Sequence, residues 1–204
     1  MTASPSRRWL TRMTPQGLGL AGAVLVAADI GDRLTGGDTF LTSGPLDETA
    51  HVLTTLIVVW AIGGVVWERL LIPALIASVV IDFDHIPRDL GADWLTAGTP
   101  RPYTHSLLTI AVVLLGAWLR RRRRTVLLGI ALALAIHFWR DTAEPGSGVS
   151  LLWPFSDHSF STSHTSYLIL VALAFAIGMR RSLRVQRARR ARIRPGAQLS
   201  RSRG

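Results

Sequence analysis

Six apolar runs, 18–31, 52–67, 70–81, 106–119, 125–139 and 166–179, constrain the fold of this 204-residue chain more than any other feature. Each is 12 to 16 residues long, short of the roughly 20 that a helix needs to cross about 30 Å of hydrocarbon. A membrane helix built on such a run must draw in flanking polar residues, for example over 47–68 or 125–142, and those residues then lie at helix ends near the membrane rim. The third run is the weakest span because it is short and contains Pro73, which suits a tilted or re-entrant segment. The set predicts an all-α protein: a polytopic transmembrane helical bundle of about six membrane segments, with four or five as the smaller alternatives. The charged fraction of 18% agrees, since soluble domains carry about 25%. Cysteine is absent, which excludes disulfides, thiol nucleophiles and cysteine metal ligands.

The arginines orient the bundle. All 23 basic residues are arginine, and the net charge is +10. Arg7, Arg8 and Arg12 precede the first run, Arg69 follows the second, Arg120 to Arg124 fill the turn between the fourth and fifth, and ten more follow the sixth. Six crossings with both termini cytoplasmic put these 19 on the inside, as the positive-inside rule prefers. Two alternatives stay open. Residues 1–28, with basic residues, an apolar stretch and a small-residue site near Ala28, also resemble a cleavable signal peptide. Runs two and three also read as one kinked span, which would put Arg7, Arg8 and Arg12 on the wrong side. The corresponding organisation is a cytoplasmic segment at 1–16, a membrane-embedded domain at 17–181 and a basic, disordered cytoplasmic tail at 182–204.

That topology sends every histidine (51, 85, 105, 137, 158 and 164) and 12 of the 13 acidic residues, all but Glu68, to the outer side. The inner side then carries +18 and the outer side −8. Four clusters stand on that outer rim. Asp47-Glu48-Thr49-Ala50-His51 opens the second run, with Asp47 and His51 on one helix face; the two acids also suit a helix N-terminus. Asp82-Phe83-Asp84-His85 closes the third run, and Asp82 shares a face with His85 if helical or with Asp84 if extended. These groups are costly at a membrane edge unless paired, for instance with Arg88, or bound to a cation. Thr104-His105-Ser106 opens the fourth run, where either hydroxyl could simply cap the helix. His137 and Asp141 end the fifth, at the i, i+4 spacing by which two side chains ligate one metal; Asp141 could instead orient the imidazole from behind. The loop from Glu144 to Thr165 contains Trp153-Pro154-Phe155, which suits the interfacial aromatic belt or a lid. His158 reads as a solvated loop residue and His164 as a possible extra ligand.

In that order, Asp82-Phe83-Asp84-His85, Thr104-His105-Ser106, His137-x-x-x-Asp141 and Trp153-Pro154-Phe155 resemble the YdjM-like inner-membrane metal-dependent hydrolases, a family similar to zinc-dependent phospholipase C and the P1-type nucleases. The likeness covers residues 45 to 180. One position departs from it: Pro100 stands where relatives often have a histidine before Arg101. The resemblance implies a bound divalent metal, zinc before manganese or iron, and hydrolysis.

Candidate metal ligands are His51, Asp82, Asp84, His85, His105, His137 and Asp141, enough for two ions. The sequence reading is a multi-pass protein of the inner or plasma membrane with a metal site on its extracytoplasmic side. There a metal-activated water attacks a phosphoester at lipid-headgroup level. The alternative is a non-catalytic metal or proton transporter or a structural partner; a transport path wants ionisable residues near the bilayer midplane, where the runs hold almost none. The arginine tail suits anionic lipid. It has no aromatic residue for base stacking, so nucleic acid is not favoured as a partner.

Overall fold

A computed structural model describes residues 13–35, 44–63, 67–96, 98–144, 146 and 148–201, with no side-chain description at 67–68 and 192–201. Arg7, Arg8, Arg12, the side chain of Glu68 and the last residues of the tail, on which part of the charge argument rests, lie outside that description. The described residues form seven helices: α1 Pro15–Thr35, α2 Gly44–Ile62, α3 Trp67–Val80, α4 Ile86–Asp89, α5 Leu107–Leu119, α6 Arg124–Thr142 and α7 His164–Arg201. A 3₁₀ turn, Ile81–His85, joins α3 to α4. Among the described residues β-structure is limited to one isolated bridge, Val149 to Phe160.

Each apolar run lies within or overlaps one long helix; α1 packs on α2, α2 on α3 and α5 on α6, while α3 also packs on α6 and α7 on α2. The second run is displaced: α2 starts at Gly44 and stops at Ile62. Gly63 takes φ +66°, a left-handed conformation that only glycine adopts cheaply, and its N–H bonds the Val59 carbonyl, ending the helix. α2 and α3 therefore pack side by side rather than forming one kinked span. The third run is stronger than its length implies. With the 3₁₀ turn and α4 it makes a continuous apolar stretch, Arg69–Asp89, of 21 residues. Pro73 sits inside α3 without ending it. Together with Gly44–Ile62 and Arg121–Thr142, it is one of three described stretches long and apolar enough to cross a membrane; Leu107–Leu119 is apolar but shorter. α7 passes through residue 182 and stays helical to Arg201. That helical course agrees with the high content of arginine and alanine there, both strong helix formers.

Small residues bring α3 and α6 into backbone contact. Ala74, Ala77 and Ala133 are buried between them, and a Cβ on Gly129 would stand 2.7 Å from the Leu70 carbonyl oxygen. Close approach through small side chains is how helices associate where lipid supplies no hydrophobic drive. At one end of the bundle, Trp60 of α2 donates its indole N–H to the Gly178 carbonyl (3.1 Å) and Ser182 Oγ (2.9 Å) of α7, and Leu18 of α1 packs at Gly178. The arginine turn 120–124 joins α5 to α6 at this end. The histidine-bearing ends of α2, α3, α5 and α6 meet at the other. Polarity is inverted relative to a soluble domain: leucine, isoleucine and valine are exposed along α1, α3, α5 and α7, while His51, His105, His137 and Asp141 are at most 1% exposed.

Candidate metal centre

α6 supplies the middle of the site. His137 and Asp141 project from one helix face, with Nε2 3.3 Å from Oδ2. His137 Nδ1 lies 3.1 Å from the Ser78 carbonyl oxygen of α3. A carbonyl only accepts, so Nδ1 carries a proton, and Nε2 is the nitrogen that would give its lone pair to a metal ion. That nitrogen faces Asp82 Oδ1 at 3.2 Å.

The segment after α3 is neither α-helical nor extended. In its 3₁₀ turn residues three apart eclipse, which aligns Asp82 with His85; His85 Nε2 lies 3.7 Å from Asp82 Oδ1 and 3.9 Å from Asp84 Oδ1. His105, just before α5, closes the group. Its Nε2 is 3.1 Å from Asp82 Oδ1 and 3.6 Å from Asp141 Oδ2, and its Nδ1 is 3.3 Å from Asp84 Oδ2. Thr104 donates its hydroxyl to Asp84. Burial alone would lower the His105 pKa; hydrogen bonds to Asp82 and Asp84 and the charge of Asp141 outweigh it and raise it. The field at this imidazole attracts cations.

α2 contributes His51, whose ring stacks on His137 at 3.6 Å between centroids. Its Nε2 lies 3.2 Å from Asp141 Oδ1 and 3.6 Å from Asp47 Oδ1. Two arginines border the cluster. Buried Arg140 donates Nη1 to Asp47 and to Glu144 Oε1 (3.0 Å) and Nη2 to Asp29 Oδ1 of α1 (3.2 Å), and its Nη1 lies 2.9 Å from His51 Nε2. Arg101 pairs with Glu144 and lies 3.5 Å from Asp141 Oδ1. Burial pushes the Glu144 carboxyl up to about 8 against the pull of Arg101. The charge of Asp141 and Glu144 holds the Arg101 guanidinium above its ordinary value despite burial.

The donor set fits a divalent ion. Three groups have ligand atoms within 4.8 Å of one another: Asp82, Asp84, His85 and His105; His51, His137 and Asp141; Asp47, His51 and Glu144. Metal–ligand distances of about 2.0–2.1 Å around a tetrahedral ion imply ligand–ligand spacings of roughly 3.3 Å. The imidazole–carboxylate spacings of the first two groups run from 3.1 to 3.9 Å. Both oxygens of Asp141, which is fully buried, lack a hydrogen-bond donor, as do Asp82 Oδ2, Asp84 Oδ1 and both oxygens of Glu48. A buried carboxylate without donors is expensive unless a cation supplies the missing charge.

All seven sequence candidates fall within these groups. Asp47 and Glu144 join them although the sequence reading left them out of the ligand set. His164 is in none of the groups, and His158 is exposed. Arg88 donates to the Pro100 carbonyl (3.1 Å). Trp153 stacks on Tyr103 (4.4 Å), while Phe155 is exposed.

A family model described as YdjM inner membrane protein matches residues 46–197, which include every candidate ligand. No curated protein and no solved structure matches the chain.

Proposed function

We propose that this chain, which belongs to the YdjM inner membrane protein family, is a multi-pass membrane hydrolase whose divalent metal ion acts on a phosphoester at lipid-headgroup level. The observation that carries this reading is Asp141, buried without a hydrogen-bond donor and flanked by the Nε2 atoms of His51, His105 and His137. His51, Asp82, His105, His137 and Asp141 would hold the ion, with Asp84 and His85 beside them; zinc suits this mixed set best, and manganese and iron accept it. Held by these residues, a metal ion would lower the pKa of a water and polarise a phosphoryl oxygen.

The chain's own groups prepare the site. Ser78 fixes the His137 tautomer, and Thr104 and His105 Nδ1 hold Asp84. Arg140 and Arg101 tie up Asp29, Asp47 and Glu144, and Arg101 also lies 3.5 Å from Asp141 Oδ1, so the carboxylate oxygens left without a hydrogen-bond donor are those nearest the imidazoles. The positive-inside rule puts the arginine end in the cytoplasm and this site on the extracytoplasmic side, with the arginines of α7 against anionic lipid.

The test is metal analysis of the purified protein against His137→Ala and Asp141→Asn, with a chelator-controlled assay on a panel of lipid phosphoesters. Loss of bound metal in both variants and chelator-sensitive hydrolysis support the reading. Unchanged metal content removes it. Metal binding without hydrolysis across the panel favours a transporter or structural protein instead.

A further inference from the structure

A groove of about 620 Å³ lies between α3, α5 and α6, a size typical of small-molecule sites. Ile76, Ala77 and Val80 of α3 form one wall, Val113 of α5 another and Ile130 and Leu134 of α6 the third. Thr109 interrupts the apolar lining along its length, and only two other polar residues line it, Asp84 and Thr104. These two are hydrogen-bonded to each other, and Asp84 belongs to the metal-capable group with Asp82, His85 and His105. From Ile72 to Val80 the wall follows α3 for about 12 Å at the helical rise of 1.5 Å per residue. It belongs to the apolar stretch Arg69–Asp89.

We infer that this groove seats one acyl chain of a phospholipid, with the lipid phosphate at the Asp84–Thr104 end. The inference rests on the hydrolase reading and deepens it: the substrate is a membrane phospholipid rather than a soluble phosphoester. Two observations name the occupant. The groove flanks two membrane-crossing stretches, where hydrocarbon is the available filling and water is excluded. Its one acidic end is shared with the cation-binding group, and a divalent cation there complements a phosphate anion at the depth where a phospholipid carries one. A chain in the groove ties the headgroup to the site, so the energy of seating the chain positions the phosphoester.

The test uses the full chain, metal-loaded, in bilayer discs of phosphatidylglycerol doped with a phosphatidic acid that has a photoreactive diazirine near its acyl terminus. Cross-links are mapped by mass spectrometry. Label concentrated on Ile76, Val113 and Ile130 is expected. Val113→Trp, which fills the groove from α5, should cut that label about tenfold, equivalent to about 1.4 kcal/mol, at unchanged metal content. Val112→Trp, on the exposed face of the same helix and outside the groove, should leave it unchanged. Excess unlabelled phosphatidic acid should compete, and glycerol phosphate should not. Label spread evenly over the lipid-facing surfaces of α5 and α6, or undiminished in Val113→Trp, overturns the inference. Competition by glycerol phosphate as strong as by the lipid overturns it too. Metal content read on the same samples separates the two failures: diffuse label on a metal-loaded protein ends only the groove inference, whereas a protein that binds no metal ends the hydrolase reading.

Discussion

Replacing Arg140 with methionine removes the guanidinium and keeps most of the side-chain volume. Arg140 is 4% exposed and touches Asp29 of α1, Asp47 and His51 of α2 and Glu144 just beyond α6. Without it, Asp29 and Asp47 lose a charged donor, and Glu144 keeps only Arg101. Removing one partner of a buried ion pair costs about 3–5 kcal/mol, and each kcal/mol lowers Tm by about 2–4 °C in a chain of this size, so Arg140→Met should melt roughly 6–20 °C below wild type. Tryptophan fluorescence of the detergent-solubilised protein reads this directly. Asp29→Asn on the Arg140→Met background should cost less than Asp29→Asn alone, with a coupling of about 1 kcal/mol or more. Arg140→Lys should recover part of the loss, because a single ammonium cannot reproduce a fork that reaches α1 and α2 at once. A melting temperature within about 2 °C of wild type, or strict additivity with Asp29→Asn, would refute Arg140 as the cation that joins these helices.

Two further outcomes follow from contacts within the bundle. Thr104→Val removes the donor to Asp84 and should weaken metal affinity roughly 10–100-fold in a competitive chelator titration, while Thr104→Ser preserves it. Gly129→Ala sets a methyl 2.7 Å from the Leu70 carbonyl oxygen, so α3 and α6 must part, at about 1–3 kcal/mol. Thermal unfolding measures that cost. Because the Ser78–His137 bond spans the same two helices, metal content should fall with it.

The sequence made the convergence of the four clusters legible because each sits at an end of an apolar run, and alternating spans bring those ends together. The His137/Asp141 pair was legible from helical spacing alone. The Arg140–Asp29 contact was not: it joins residues 111 positions apart through the packing of α1 against the rest. Counting Arg140 and Arg101 as outer-side charge recorded their side of the bundle but not their insertion among the acids. The Ser78 carbonyl leaves no trace in the sequence, since any residue carries that oxygen. At Asp82 to His85 both periodicities considered were displaced by a 3₁₀ turn, whose three-residue repeat still aligns Asp82 with His85. The strength of the third span was hidden by the hydropathy of run 70–81 taken without its continuation to Asp89.

The chain order of the charges bears on how such a molecule is made. Asp29, Asp47, Asp82 and Asp84 all precede Arg101, and Arg140 comes last of these. A ribosome adding about 5–20 residues per second therefore delivers the acids seconds before the guanidinium that joins Asp29 to Asp47. Until then α1 and α2 bring like charges to the same place, and their ends are better hydrated than docked. The ends of α1 and α2 thus bring carboxylates together that share one guanidinium, and that guanidinium comes with α6. In this fold the fifth long helix to be synthesised acts as the keystone of the first two.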